Sequence, residues 1–214
     1  PDRFQGDLIA KLDELADQWE GPLRAIIDSA YSRPYLPAEP QGEQGFDALI
    51  NFEFQQQAKQ GVECFSHMDE IYQRYADDYT EQGFNMLSYL SSHDTALFFD
   101  QLDSDINRQY RAAAPLLLAP GAVQIYYGDE SARPLGPGGS DPMQGTRSDM
   151  NWQQLDQPTY QRLLRHWQTL GQFRQRHPAI GAGSHNKLAD APYSFARTLG
   201  DDRVVVAFVG YPPP

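Results

Sequence analysis

Four segments of this chain read as strands, and each runs into residues that can do chemistry. The first reaches Asp28 and Ser29, and the second Glu53. The third reaches His93 and Asp94, and the fourth Tyr126, Tyr127, Gly128, Asp129 and Glu130. In parallel α/β folds, ligands bind at the C-terminal ends of strands, so these groups share one geometric edge. The third is the sharpest case. "NMLSYLSSHDT" alternates like a strand, then stops in Ser91-Ser92-His93-Asp94-Thr95. A histidine donor beside a carboxylate acceptor suits a ligand rich in hydroxyls. The plainer alternative is that Asp94 caps a following helix and His93 is a satisfied core residue. Tyr31, Tyr126, Tyr127 and Trp152 offer aromatic faces that can stack on a ligand, or simply pack a core or loop. Arg147 can pair with a carboxylate at the same edge.

The elements that must position these groups follow from periodicity. Leu8, Ile9, Leu12, Leu15 and Trp19 have helical spacing, and Gly21-Pro22 stops the helix. A short apolar run at 22–28 reads as a buried strand, followed by a proline-rich loop. "FDALINFEF" is a second strand, and 55–78 is one helix with Gly61 as its weak point. "NMLSYLSS" is the third strand. A helix from Asp105 to Leu118 carries Pro115 as a kink. "AVQIYYGDE" is the fourth strand, and a loop of about thirty residues follows, of the length that is usually functional. Residues 160–178 form a last helix, and "YSFARTLGDDRVVVAFVG" a hairpin turning at "GDD". Strands alternating with helices imply parallel βαβ units, in a small doubly wound sheet or part of a (β/α)8 barrel.

The 214 residues carry a formal charge of −12, with 40% hydrophobic residues. A core is therefore within reach, and nucleic-acid binding through clustered Lys and Arg is excluded as a reading. No apolar run approaches the roughly 18 residues of a membrane helix. Cys64 stands alone, so no intrachain disulfide can form; this leans weakly towards the cytoplasm. No metal-ligand spacing appears. His67, His166, His177 and His185 read as surface or packing residues.

Several motifs then agree on one family. "LSYLSSHDT" resembles the region of the α-amylase family (family 13 glycoside hydrolases) where a strand ends in His-Asp. "APGAVQIYYGDE" is similar to that family's eighth strand, "GTRSDMNW" to its following Arg-x-x-Met-x-Trp segment, and "GFDALINFEF" to its sixth strand. They occur in the family's order over residues 45 to 180, closest to the bacterial periplasmic type. The resemblance implies the C-terminal half of a (β/α)8 barrel, strands five to eight, over residues 1–180, and the start of an all-β C-terminal domain over 181–214. It implies a retaining glycosidase acting on maltodextrin or starch, periplasmic or secreted. It implies Asp94 as the transition-state stabiliser, and His93, Tyr31, Tyr127, Arg147 and Trp152 as substrate contacts. No cofactor is expected in this chain, with calcium expected in the intact parent.

The departures from the family are equally specific. The nucleophile motif is absent. The general-acid position falls on Ser29, which cannot protonate a leaving oxygen, since its pKa lies far from the working pH. Asp28 is one residue off, and Glu39 and Glu43 are unsupported stand-ins. Asp129 and Glu130 read as structural or rim groups. The expectation is a chain incomplete for catalysis that pairs with a second copy or with a missing N-terminal half. A noncatalytic carbohydrate-binding protein derived from the fold is the alternative.

Overall fold

The computed structural model describes residues 48–82, 85–136 and 145–209. The strand expected at 22–28, together with Asp28, Ser29, Tyr31, Glu39 and Glu43, lies outside them. The described chain runs β1 (Ala48–Asn51), α1 (Phe52–Glu63), a 3-10 turn (Phe65–Met68), α2 (Asp69–Gln82), β2 (Asn85–Tyr89), α3 (Phe98–Gln101), α4 (Ile106–Leu117) and β3 (Ala122–Gln124). After a second 3-10 turn (Trp152–Asp156) come α5 (Pro158–Arg176), α6 (Ala179–Ala182), β4 (Ser184–Asp190), β5 (Tyr193–Leu199) and β6 (Asp202–Ala207).

β1, β2 and β3 form one parallel sheet in that order, with Leu49 opposite Met86 and Ser88 opposite Val123. Helices supply the crossovers, as parallel pairing requires. Parallelism puts the residues after Asn51, Tyr89 and Gln124 on one edge, where the sequence placed its chemistry. β4, β5 and β6 form a separate antiparallel sheet.

Three boundaries differ from the expected ones, each for a local reason. The strand read through Phe54 ends at Asn51, because Asn51 Oδ1 accepts the Phe54 N–H at 2.9 Å and starts α1 instead. The single helix expected over 55–78 breaks at Cys64, whose backbone is extended. Beside that break Gly61 lets the chain close on itself: a Cβ there would sit 2.5 Å from Met68 Sδ. The fourth strand stops at Gln124, not Glu130, since the chain turns at Gly128 with φ +97°. The expected C-terminal hairpin is present as β5 and β6, with Gly200 at its turn (φ +56°). A third strand, β4, joins it. β4 was illegible because only His185 along it is buried, so it shows no alternation.

Pro115 lies inside α4 as expected. Its carbonyl accepts Tyr72 O–H at 2.6 Å, tying α4 to α2. Asp105 caps the start of α4. Its C-terminal end is closed by Arg174 of α5, which donates to the carbonyls of Leu117, Ala119 and Gly121. Gly121 then enters β3 at φ +77°, where a Cβ would meet the Met86 carbonyl at 2.7 Å. These contacts fix where β3 emerges, and so where the turn after it sits. The core between sheet and helices holds Leu49, Phe54, Met68, Leu90, Phe98, Leu102, Leu116 and Trp167.

Candidate active site

After β2 the chain bends sharply, and serine and threonine hydroxyls hold the bend. Ser92 N–H donates to Thr95 Oγ1 at 2.9 Å, and the N–H groups of Asp94 and Thr95 both donate to Ser92 Oγ at 3.1 Å. Ser91 Oγ accepts the Phe98 N–H at 2.8 Å at the start of α3. The helix-cap alternative for Asp94 is therefore overturned: α3 begins at Phe98, and Ser91 serves its first N–H. His93 and Asp94 are free to project, and both side chains are 60% exposed.

Asp94 is the meeting point. His93 Nε2 lies 2.9 Å from its Oδ2, and Arg147 Nη2 lies 3.3 Å from its Oδ1. Arg147 Nη1 also donates to the His93 carbonyl at 2.9 Å, and Thr146 Oγ1 donates to the same carbonyl at 2.8 Å. So "SSHDT" and "GTRSDMNW", about fifty residues apart in sequence, are joined in space. A carboxylate held by one guanidinium and one imidazole, all open to solvent, can exchange those partners for ligand hydroxyls.

The turn after β3 builds the wall beside them. Arg133 is buried and donates to the carbonyls of Tyr127, Thr146 and Ser148, at 3.0, 3.0 and 3.1 Å. Its guanidinium lies 3.9 Å from the Tyr127 ring centroid, a cation–π stack. Gly128 makes this approach possible, since a Cβ there would lie 2.5 Å from Arg133 Nε. Tyr126 O–H donates to the Thr146 carbonyl and Tyr127 O–H to that of Ser148, so both rings brace the segment carrying Arg147. Tyr127 keeps 41% of its surface exposed and Trp152 keeps 70%.

Sequence reasoning missed Arg133 and Thr146. The only signal for Arg133 was Gly128, whose backbone conformation the arginine requires. Glu53, read as a rim carboxylate, instead lies in the first turn of α1, bound by Arg74 at 2.7 Å and Tyr75 at 2.8 Å. Asp129 is buried and takes the Ser91 hydroxyl at 2.5 Å. Glu130 accepts the Gly128 N–H at 3.0 Å. Among the described residues no cluster of three His, Cys, Asp or Glu side chains could hold a metal. No helix among them is long and apolar enough to cross a membrane.

Comparison with known proteins agrees with this geometry. No family model matches the chain. The chain is 54% identical over 167 residues to the periplasmic α-amylase of Escherichia coli K12, covering 78% of this chain and 23% of that protein. It is 32% identical over 157 residues to the maltogenic α-amylase of Bacillus acidopullulyticus, covering 70% of this chain and 24% of that protein. It thus spans about a quarter of the length of these curated relatives. Among solved structures, an Anoxybacillus α-amylase superposes with TM-score 0.61 at 26% identity, over 78% of this chain and 36% of that one. An α-amylase from Geobacillus thermoleovorans, solved with acarbose, gives TM-score 0.60 at 23% identity, over 77% and 37%. In sequence and in fold, this chain is a relative of the α-amylase family of glycoside hydrolases, matching part of those proteins' length.

Proposed function

We propose that this chain supplies part of the sugar-binding rim of a periplasmic or secreted enzyme that hydrolyses α-1,4-glucans with retention. The observation that carries this reading is the convergence of His93, Asp94 and Arg147 at the C-terminal edge of the parallel sheet. On it, β1, β2 and β3 are the sixth, seventh and eighth barrel strands, and β4–β6 begin the C-terminal β domain. Asp94 accepts hydrogen bonds from hydroxyls of the sugar at the cleaved bond. Those bonds strengthen as the ring flattens towards the transition state, which is where they accelerate reaction. His93 donates to the same sugar. Arg147 holds the Asp94 carboxylate and yields it to the ligand, while Tyr127 and Trp152 offer stacking faces.

The retaining mechanism needs a nucleophile and an acid about 5 Å apart. Neither role falls to a described residue, and the acid position at Ser29 departs from the family. On this reading the described residues supply the rim alone, and the nucleophile and the acid come from outside them.

Calorimetric titration with maltoheptaose, comparing the chain with Asp94→Ala, tests the reading. Binding lost in the variant is the expected result. Equal binding by both would sink the role of Asp94. The Ser29 departure favours a second reading, a glucan-binding protein without turnover. A full-length protein that binds maltodextrin yet fails to cleave a chromogenic maltoside would select it.

A further inference from the structure

Behind the exposed Asp94 lies a second, buried aspartate with no direct part in the rim. Asp129 sits in the turn after β3 and is 5% exposed. Its Oδ1 accepts the Ser91 hydroxyl at 2.5 Å, and its Oδ2 has no partner among the described residues. Ser91 Oγ in turn accepts the Phe98 N–H at 2.8 Å. Ser91 and Phe98 are the two ends of the 92–97 turn that presents His93 and Asp94. The single hydroxyl closes that turn and anchors it to the neighbouring strand's loop. Asp129 itself is fixed from two further sides. Gln109 Nε2 of α4 donates to its carbonyl at 2.7 Å, and its own N–H reaches the Tyr126 carbonyl at 3.0 Å.

We propose that Asp129 is a positioning residue for Asp94, acting through the Ser91 hydroxyl to set the geometry of the 92–97 turn as it gains or loses its proton. The proposal rests on the reading of Asp94 as a glucan contact. A carboxylate at position 129 takes a charge-assisted hydrogen bond from Ser91, while a neutral carboxyl takes a weaker one. The grip on the turn therefore tightens when Asp129 ionises. The groups around it leave that step in the neutral range. Burial raises the Asp129 carboxyl to about 7, against the lowering effect of the Ser91 hydrogen bond. Glu130 adds to the rise, and the Tyr126 backbone and Arg133 oppose it. Arg133 does not pair with it, since its guanidinium is spent on the carbonyls of Tyr127, Thr146 and Ser148.

The test is maltoheptaose affinity of the full-length protein on both sides of pH 7, for wild type, Asp129→Asn, Ser91→Ala and Asp94→Ala. Asparagine mimics the neutral acid, so Asp129→Asn should hold the wild-type affinity of the acid side at every pH. The wild type should tighten several-fold as pH rises, and Ser91→Ala should lose that dependence with Asp129 intact. Thermal melts at acid pH should match between Asp129→Asn and wild type. Both variants tightening with pH as wild type does would overturn the positioning role. Asp94→Ala binding like wild type would overturn the underlying site reading, and the proposal with it.

Discussion

Among the described residues aspartate, histidine and arginine meet twice, in opposite surroundings. At the rim, His93 and Arg147 both converge on Asp94, and two of the three side chains are 60% exposed. At the seam between α2 and the β4–β6 sheet, the same residue types form a line. Arg197 Nε donates to His185 Nδ1 at 2.8 Å, and His185 Nε2 lies 3.0 Å from Asp69 Oδ1. The His185 side chain is fully buried. Asp69 also accepts Tyr193 O–H at 2.8 Å, and Arg197 Nη1 donates to the Ile180 carbonyl at 2.5 Å. The donors fix the tautomer: Nδ1 accepts from Arg197, so Nε2 carries the proton and donates to Asp69. The seam gives each of the three residues a partner in the protein and closes the histidine and the arginine to solvent. The rim pairs its members only in the open, where each contact can be exchanged. Residue type alone cannot separate a fastener from a site; solvent access does.

Four measurements break or sharpen this contrast. The largest effect belongs to the seam. Arg197→Ala strands a buried histidine and the Ile180 carbonyl, and should lower stability by about 3 kcal/mol. A reduced urea midpoint at unchanged slope would show it. The second is acid. Burial, joined by Arg197, lowers the His185 pKa from its ordinary 6.5, although Asp69 opposes this. The unfolded chain thus binds a proton that the folded chain resists. The His185 contribution to stability is full above pH 6.5 and falls as pH drops below it, towards the lowered folded value. His185→Gln should remove the His185 share of the slope of unfolding free energy against pH in that window; His166, also lowered by burial, keeps a share of the same sign, and Asp129, raised by burial, one of the opposite sign.

The rim variants come next. Asp94→Ala and Arg147→Ala break exposed pairs and should change stability by less than about 1 kcal/mol. Maltoheptaose binding should nevertheless be lost for Asp94→Ala and weakened for Arg147→Ala in calorimetry. A large stability loss with binding intact would reverse the assignment of the two triplets. The smallest effect is expected at Trp152. Its alanine variant should melt within about 0.5 kcal/mol of wild type, as surface substitutions do. Binding of long maltodextrins should weaken more than binding of short ones, read as a difference between maltoheptaose and maltotriose.

Periodicity and turn chemistry located most of this fold. The helix over 158–176, the capped α4 with its proline, β2 and the β5–β6 hairpin each follow from spacing that a chain must adopt to hide its apolar face. The motif "SSHDT" likewise announced where β2 stops, because small hydroxyl residues can satisfy a bend that apolar ones cannot. Local sequence therefore decided most of the segments, though it hid β4 and misplaced the ends of β1, α1 and β3. It could not decide who meets whom. Glu53 and Asp94 both follow strands, yet Arg74 and Tyr75 of α2 hold Glu53, while Asp94 stands open beside Arg147. His93 and His185 are the same side chain with opposite fates. Arg133 carries no pattern at all until Gly128 folds back against it. Burial and long-range pairing are properties of the assembled layers, set by which helix covers which strand edge. For that reason only the tertiary structure separated the rim from the seam.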